Sequence, residues 1–350
     1  MKSTPAALYD RIKRGPGVFI IGEAGVNHNG DLGMACRLID AAAAAGCDAV
    51  KFQTFKTERV ISTRAPKARY QKEATGIGES QFEMVKRLEL DAAAHRKLLI
   101  HCRKRGILFL STPFDEESAD MLQELGVPLF KIPSGEITNM PLLRHISLKL
   151  RPVILSTGMS TLVEVESAVK VLRKAGCVRL VLLHCVTSYP CPIEQVNLRA
   201  MTTLARAFKC PVGYSDHTLG LDASLAAVAM GARVIEKHFT MDIGLPGPDH
   251  QASLPPEGLA ELVERVRALE RAMGDGIKRA ATCEVENIMI ARKSVVAARD
   301  IAVGEKIALG DVVIKRPGTG IAPGDIRKVV GRTMSRALGR DEVITWKDTR

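Results

Sequence analysis

Aromatic residues are scarce in this chain of 350 residues, which has one Trp, four Tyr and nine Phe. Proteins that hold single-stranded nucleic acid stack bases on aromatic platforms, and few are on offer here. No block of Lys and Arg stands out either, because the basic residues are spread along helix-like segments. Nucleic acid is therefore not an expected partner. The chain carries eight Cys but no Cys-x-x-Cys pair, which argues against a zinc ribbon or a redox dithiol. Several of these Cys fall within apolar patterns, where a reduced thiol behaves as a small hydrophobe, so a reducing, cytoplasmic setting is expected. No stretch approaches the ~20 apolar residues of a membrane span, and Met1–Gly17 lacks the apolar run of a signal peptide. No membrane partner is expected.

Hydrophobic residues make up 46% of the chain, enough for a sizeable and mainly aliphatic core. The net charge of +11 favours an anionic partner, and with nucleic acid and membrane disfavoured a small phosphorylated substrate fits best. Short apolar runs alternate with longer helix-like segments eight times. The strand candidates are Val18–Ala24, Ala49–Gln53, Ile107–Ser111, Leu129–Ile132, Val153–Ser156, Leu180–Cys185, Val212–Ser215 and Val234–His238. They read as parallel strands buried on both faces. Helix candidates lie between them: Asp31–Gly46, Ser160–Gly176 with Thr161 and Glu164 at capping-box spacing, Leu219–Gly231 and Pro256–Met273.

Eight such units in series predict an α/β chain closed into a (β/α)8 TIM barrel rather than an open sheet. An open dinucleotide-binding sheet wants a glycine-rich first turn, whereas Gly22–Gly30 carries Glu23, Asn27, His28 and Asn29. The stretch Lys56–Glu79 is long for a βα loop and suggests a cover over the site. The pattern changes after Gly274. The expected organisation is a barrel over 1–274, a linker over 275–286 and a small β-rich domain over 287–350. That last domain has β-like runs at Ser294–Ala297, Val312–Lys315 and Val343–Thr345 broken by Gly/Pro turns. From Glu286 to Arg350 it holds 13 basic and 8 acidic residues, a net +5.

The C-terminal ends of the strand candidates carry Glu23; Lys51 and Gln53; Ser111 and Thr112; Lys131, Ser134 and Glu136; Ser156 and Thr157; His184; Ser215, Asp216 and His217; Glu236 and His238. In a barrel these ends converge on one mouth. Lys51, Lys131, Ser134, Ser156 and Ser215 supply ammonium charge and hydroxyl donors suited to a phosphate and a carboxylate. A Lys inside an apolar strand must also be paired with something anionic. His217 and His238 end neighbouring strands ~4.8 Å apart, so two imidazoles reach one cation. Without thiolates they suit Mn²⁺, Mg²⁺ or Co²⁺ better than structural zinc. Glu23 is placed either to move a proton or to pair with a neighbouring charge. His184 reads as an inward hydrogen-bonding residue.

Several segments resemble the bacterial sialic acid synthases: Glu23–Gly30, Lys51–Thr54, Ser111–Phe114, Lys131–Glu136, Ser156–Met159, Tyr214–Thr218, Glu236–Thr240 and Gly247–His250. The last domain is similar to the antifreeze-like (SAF) domain, with Lys315–Gly320 as its signature. The resemblance implies condensation of phosphoenolpyruvate with an N-acylated aldose. N-acetylmannosamine and water would give N-acetylneuraminate and phosphate. Legionaminate or pseudaminate synthesis from a diacetamido-trideoxyhexose, and use of a 6-phosphorylated sugar, are the alternatives. The same resemblance implies that His217 and His238 hold the divalent metal and that Glu23 handles the proton of the added water. Lys51, Lys131, Ser134, Ser156, Thr187 and Ser215 would bind phosphoenolpyruvate, and Gln53, Glu136, Tyr189, Asp249 and Arg316 the sugar. Some members carry Asn where this chain has Thr187, which keeps a donor of different reach. Arg316 would come from the partner in a domain-swapped homodimer. Outside this family, an aldolase using free pyruvate and a binding protein acting through the basic tail remain as other readings.

Overall fold

The computed structural model describes residues 4–68, 71–72, 75–76 and 78–350. Two compact units divide the chain, Met1–Gly274 and Asp275–Arg350. In the first unit eight strands run parallel: β1 Phe19–Gly25, β2 Ala49–Thr54, β3 Leu108–Pro113, β4 Phe130–Ile132, β5 Val153–Ser156, β6 Leu180–His184, β7 Val212–Asp216 and β8 Val234–His238. Each pairs with its sequence neighbour, and β1 also pairs with β8, joining first strand to last, while β3 and β4 lie side by side at the seam. This is the expected barrel, with strand bounds within two residues of those read from the sequence.

Strand side chains alternate between two cores. The outward set, Ile20, Val50, Phe52, Phe109, Leu155, Leu182 and Tyr214 among them, packs against the surrounding helices. The inward set, Phe19, Ile21, Ala49, Leu110, Leu129, Ile154, Val181, Leu183 and Val234, fills the barrel. Leu8, Tyr9 and Ile12 of the helix Pro5–Arg14 join that inner core and stop it at the N-terminal end of the strands. The helices begin on side-chain caps as their sequences suggest. Asp31 caps Leu32–Ala44, and Thr161 and Glu164 form a reciprocal box at Leu162–Lys174.

At the other end, β7 and β8 are tied from outside the barrel. Lys237 Nζ lies 2.9 Å from Asp216 Oδ2 and donates to the Thr218 carbonyl at 2.5 Å, and Asp216 also accepts from Thr218 and Ser224. Every polar atom of this buried pair therefore has a partner.

The segment after β2 folds back over the strand ends. Its expected range, Lys56–Glu79, includes Tyr70 and four other positions outside the described residues. Glu89 anchors both of its ends: the carboxylate accepts from Lys56 Nζ and Lys86 Nζ at 3.0 Å and from Thr57 N and Oγ1 at 3.2 Å. Burial pushes this carboxyl up, but the two ammonium groups and the Thr57 amide outweigh it and hold it at about 2.

In the second unit β9 (Ser294–Ala297) and β10 (Val312–Lys315) pair antiparallel over a small core that includes Val295, Ile301, Met334 and Ile344. Val343–Thr345, expected as a third β run, makes only an isolated bridge from Val343 to Val296. The turn Thr345–Asp348 interrupts it: Asp348 Oδ2 takes the Thr345 amide at 2.8 Å and its hydroxyl at 2.7 Å. A short helix, Val285–Ala291, precedes β9 and runs across position 286. All eight Cys are free thiols, and among the described residues no helix is long and apolar enough to cross a membrane.

Two expectations follow. Lys237→Met, which strands the Asp216 carboxylate in the interior, lowers the unfolding free energy by about 3–5 kcal/mol in urea melts, and Asp216→Asn added to it restores part of the loss. Glu89 contributes stability that is full above the ordinary glutamate pKa of about 4.3 and is lost as pH falls towards 2. The protection of the Thr57 and Met84–Leu88 amides, taken relative to their intrinsic exchange rates, should therefore fall between pH 5 and pH 2.5, and Glu89→Gln should remove that pH dependence.

Candidate active site

The inward alternation turns polar one layer before the strands end. Glu23 is in register with Lys51 on one side and His238 on the other, and Ser215 is in register with Glu236. Residues in register on a parallel sheet face the same way, so these five side chains point into the barrel mouth. A bulge between Glu23 and Gly25 shifts β1 against β2. Gly25, at φ +51°, makes the turn. A Cβ there would sit 3.4 Å from both Gln53 and Glu23 and 3.6 Å from His238.

Together with residues from the loops, this layer lines a cavity of about 310 Å³. Of the residues singled out from the sequence, Glu23, Lys51, Gln53, Lys131, Ser134, Ser156, Thr187, Tyr189, Ser215, His217, His238 and Asp249 all border it. Its floor is a buried cluster of two ammonium and two carboxyl groups. Lys51 Nζ lies 2.5 Å from Glu23 Oε2 and 3.8 Å from Glu236 Oε2, and donates to Thr112 Oγ1 at 3.0 Å. Lys131 Nζ donates to Glu236 Oε1 at 2.9 Å, and Ser215 Oγ donates to the same oxygen at 3.0 Å. Glu236 is thus the hub of the cluster. The sequence reading placed it at a strand end without a role; the requirement that buried Lys51 and Lys131 be paired with an anion was the signal pointing to it.

These four charges perturb one another. Burial and the Glu236 carboxylate push the Glu23 carboxyl up against the pull of Lys51. Glu236 is held below the ordinary carboxylate range, because Lys131 and Lys51 overcome the burial that pushes it up. Burial, with Lys51 adding to it, draws the Lys131 ammonium down. Two carboxyls whose environments push them in opposite directions beside two cations form the arrangement that separates an acid from a base.

Beside the cluster lies a cradle. Ser134 Oγ accepts the Gly158 amide at 2.9 Å and meets Cys185 Sγ at 3.0 Å. A Cβ at Gly158 would come within 2.4 Å of Thr187 Oγ1 and 2.8 Å of Ser134 Oγ, so only glycine lets the two loops close. The hydroxyls of Ser156 and Thr187 are buried here with no hydrogen-bond partner. Unsatisfied donors around a concave surface next to two ammonium groups suit a tetrahedral oxyanion.

His217 and His238 face each other across the mouth with ring centroids 5.6 Å apart, and Tyr189 packs against both at 4.2 and 5.5 Å. His217 Nδ1 donates to the Val186 carbonyl at 2.6 Å, which fixes the tautomer and leaves Nε2 with its lone pair. Burial holds His217 at about 4 despite that hydrogen bond, and burial, His217 and Lys51 hold His238 well below its usual value. Both rings are therefore neutral near pH 7, the state that binds metal. His238 Nδ1 has no hydrogen-bond partner and lies 4.0 Å from Asp249 Oδ2. Burial raises the Asp249 carboxyl to about 6. Among the described residues no third His, Cys, Asp or Glu gathers around the two rings as a closed ligand set. Two neutral imidazoles whose remaining positions go to oxygens fit a hard divalent ion in an open site.

Other strand-end residues turn away from the mouth. Ser111 bonds Thr54 on the helix side, Thr157 bonds the Leu183 carbonyl, and Asp216 belongs to the Lys237 pair. His184, expected to point inward, stacks on Tyr214 and reaches the Val196 carbonyl at 2.7 Å outside the barrel. Leu183 and Cys185 take the inward positions, because β6 keeps its two-residue alternation to its end. Glu136 sits on a single helical turn, accepts from Asn139 Nδ2 at 2.7 Å and does not border the cavity. Arg316 belongs to the second unit, where its Nε donates to the Ala291 carbonyl at 2.9 Å.

The chain matches the model of the NeuB family over residues 38–278 and that of the SAF domain over 292–350. It is 53% identical to the N,N'-diacetyllegionaminic acid synthase of Campylobacter jejuni, over 93% of this chain and 98% of the relative. The enzyme of the same name from Legionella pneumophila is 47% identical over 94% of each. Among solved structures, an N-acetylneuraminic acid synthetase from Leptospira borgpetersenii superposes with a TM-score of 0.69 at 39% identity, over 78% of this chain and 90% of that one.

The imidazole pair makes a measurable prediction. His217→Ala and His238→Ala should each weaken Mn²⁺ binding by more than the ~10–100-fold typical of losing an outer-shell partner, read by titration calorimetry, with the thermal midpoint of the metal-free protein little changed.

Proposed function

The chain belongs to the NeuB family of phosphoenolpyruvate-condensing synthases, and on that premise we propose that its sugar is a diacetamido-trideoxyhexose and its product N,N'-diacetyllegionaminate. What carries the choice of sugar is the higher identity with the two legionaminic acid synthases, 53% and 47%, than with the neuraminic acid synthetase, 39%. This reverses the preference for N-acetylmannosamine drawn from the sequence motifs, which the two kinds of synthase share. A 6-phosphorylated sugar is the weaker alternative.

In the proposed reaction Lys51, Lys131 and Ser215 take the carboxylate and enol-phosphate end of phosphoenolpyruvate. Ser134, Ser156 and Thr187, with the Gly158 amide close by, take the phosphate oxygens. This reading is supported by the unpartnered hydroxyls of Ser156 and Thr187 and by the two ammonium groups at the floor. Entry of an anion requires Glu236 to release part of its hold on Lys131. The methylene carbon of phosphoenolpyruvate bonds to the aldehyde carbon of the open-chain sugar, whose C=O π pair moves onto the oxygen; that oxygen becomes the new hydroxyl, its proton balanced by the one the added water loses. Water adds to the carbon that bore the phosphate, and phosphate departs. Glu23, whose raised pKa suits proton exchange near neutrality, takes the proton of that water. His217 and His238 would hold a divalent ion, which supplies Lewis-acid polarisation of an aldehyde oxygen. Gln53, Tyr189 and Asp249, which border the cavity, take the sugar in this reading. Arg316, contributed by the partner in a domain-swapped dimer, completes the proposed sugar contacts, and Glu136, which does not border the cavity, is left out of them.

Purified protein given phosphoenolpyruvate, Mn²⁺ and each sugar in turn should release phosphate with a kcat/KM about 10–200-fold higher for the trideoxyhexose than for N-acetylmannosamine. Equal or better turnover of N-acetylmannosamine removes the legionaminate reading. Turnover with free pyruvate in place of phosphoenolpyruvate removes the phosphate-dependent chemistry.

A further inference from the structure

The cavity has two unlike walls. One is the charged floor with the imidazole pair. The other is built by Phe55, Val60, Met84, Val85, Leu88 and Phe114, from the turns after β2 and β3 and from the segment that Glu89 anchors. Phe55 and Phe114 meet edge to face at 6.1 Å, and Val60, Val85 and Leu88 pack around them. This small core is separate from the two barrel cores, and it turns one side to the cavity. Gln71 and Gln81 also border the cavity, and Gln81 Nε2 donates to Gln71 Oε1 at 3.3 Å.

The carbons that react must lie against the charged floor, so the far end of the sugar extends towards the apolar wall. N-acetylmannosamine carries hydroxyls there. The trideoxyhexose has two fewer, one replaced by hydrogen and one by a second acetamido group. A hydroxyl buried against this wall forfeits its water without finding a partner. A methyl group loses nothing there, and an amide at the edge meets the two Gln side chains.

We propose that Phe55, Val60, Met84, Val85, Leu88 and Phe114 form the specificity subsite that receives the deoxygenated, acylated end of the sugar and disfavours polyhydroxylated hexosamines. The assignment rests on the substrate reading above. Val60 and Val85 are only partly buried, so replacing each by the isosteric Thr adds a hydroxyl at little risk to the fold.

The test is the kcat/KM ratio of the trideoxyhexose to N-acetylmannosamine in wild type, Val60→Thr and Val85→Thr, with the KM for phosphoenolpyruvate measured alongside. In both variants the ratio should fall about tenfold, through a higher KM for the trideoxyhexose at nearly constant kcat, while the KM for phosphoenolpyruvate stays within twofold of wild type. A purely structural role would move both substrates' parameters together. A wild-type preference for the trideoxyhexose with an unmoved ratio in both variants overturns the subsite alone. A wild-type preference for N-acetylmannosamine overturns the substrate reading and the subsite with it.

Discussion

The site is organised by a neutrality requirement. Two Lys side chains cannot be carried as cations inside the mouth of a barrel unless anions meet them there. Glu23 and Glu236 meet that requirement from β1 and β8, the neighbouring strands that join first to last. The cluster exists only when the barrel is closed, because its members come from β1, β2, β4, β7 and β8. The same four groups that let the fold hold charge in its interior are the ones positioned to exchange it with an anionic substrate.

Around that cluster the fold separates holding from reacting. The outward sides of the strand ends carry satisfied pairs: Asp216 with Lys237, Thr54 with Ser111 and His95, His184 with the Val196 carbonyl. The inward sides carry groups whose hydrogen bonding is incomplete: Ser156, Thr187 and the Nδ1 atom of His238. Buried polar atoms without partners are uncommon in folded proteins, and the presence of several around this cavity distinguishes the mouth from an ordinary barrel end.

The cover adds a different constraint. Its contact with the barrel includes an apolar patch, separate from the main core, fastened by the carboxylates of Glu89 and Asp115. Apolar side chains that both hold the cover and border the cavity tie the shape of the cavity to the seating of that segment. A polar floor set on strands and an apolar wall set on a loop divide chemistry from selectivity, a division common where loops vary on a constant barrel.

Much of this was legible in the chain itself. Eight apolar runs alternating with helix-like segments identified the barrel, and Lys51, Lys131, His217 and His238 declared themselves as polar interruptions at strand ends. What escaped were phase and pairing. The inward or outward sense of His184 and Ser111 depends on which residue begins the alternation, and the apolar runs, buried on both faces, do not reveal it. Glu236 could be listed among the strand ends but not recognised as the shared partner of Lys131 and Ser215, since these lie 105 and 21 positions from it and meet it only across the closed barrel. Composition and periodicity determined the architecture and the chemical types at the mouth, because local spacing dictates which segments become strands and what ends them. Only the closed tertiary structure decided which charges neutralise one another, which hydroxyls go unpaired and which hydrophobes line the cavity, because each of those depends on distances between strands that the chain brings together only by folding.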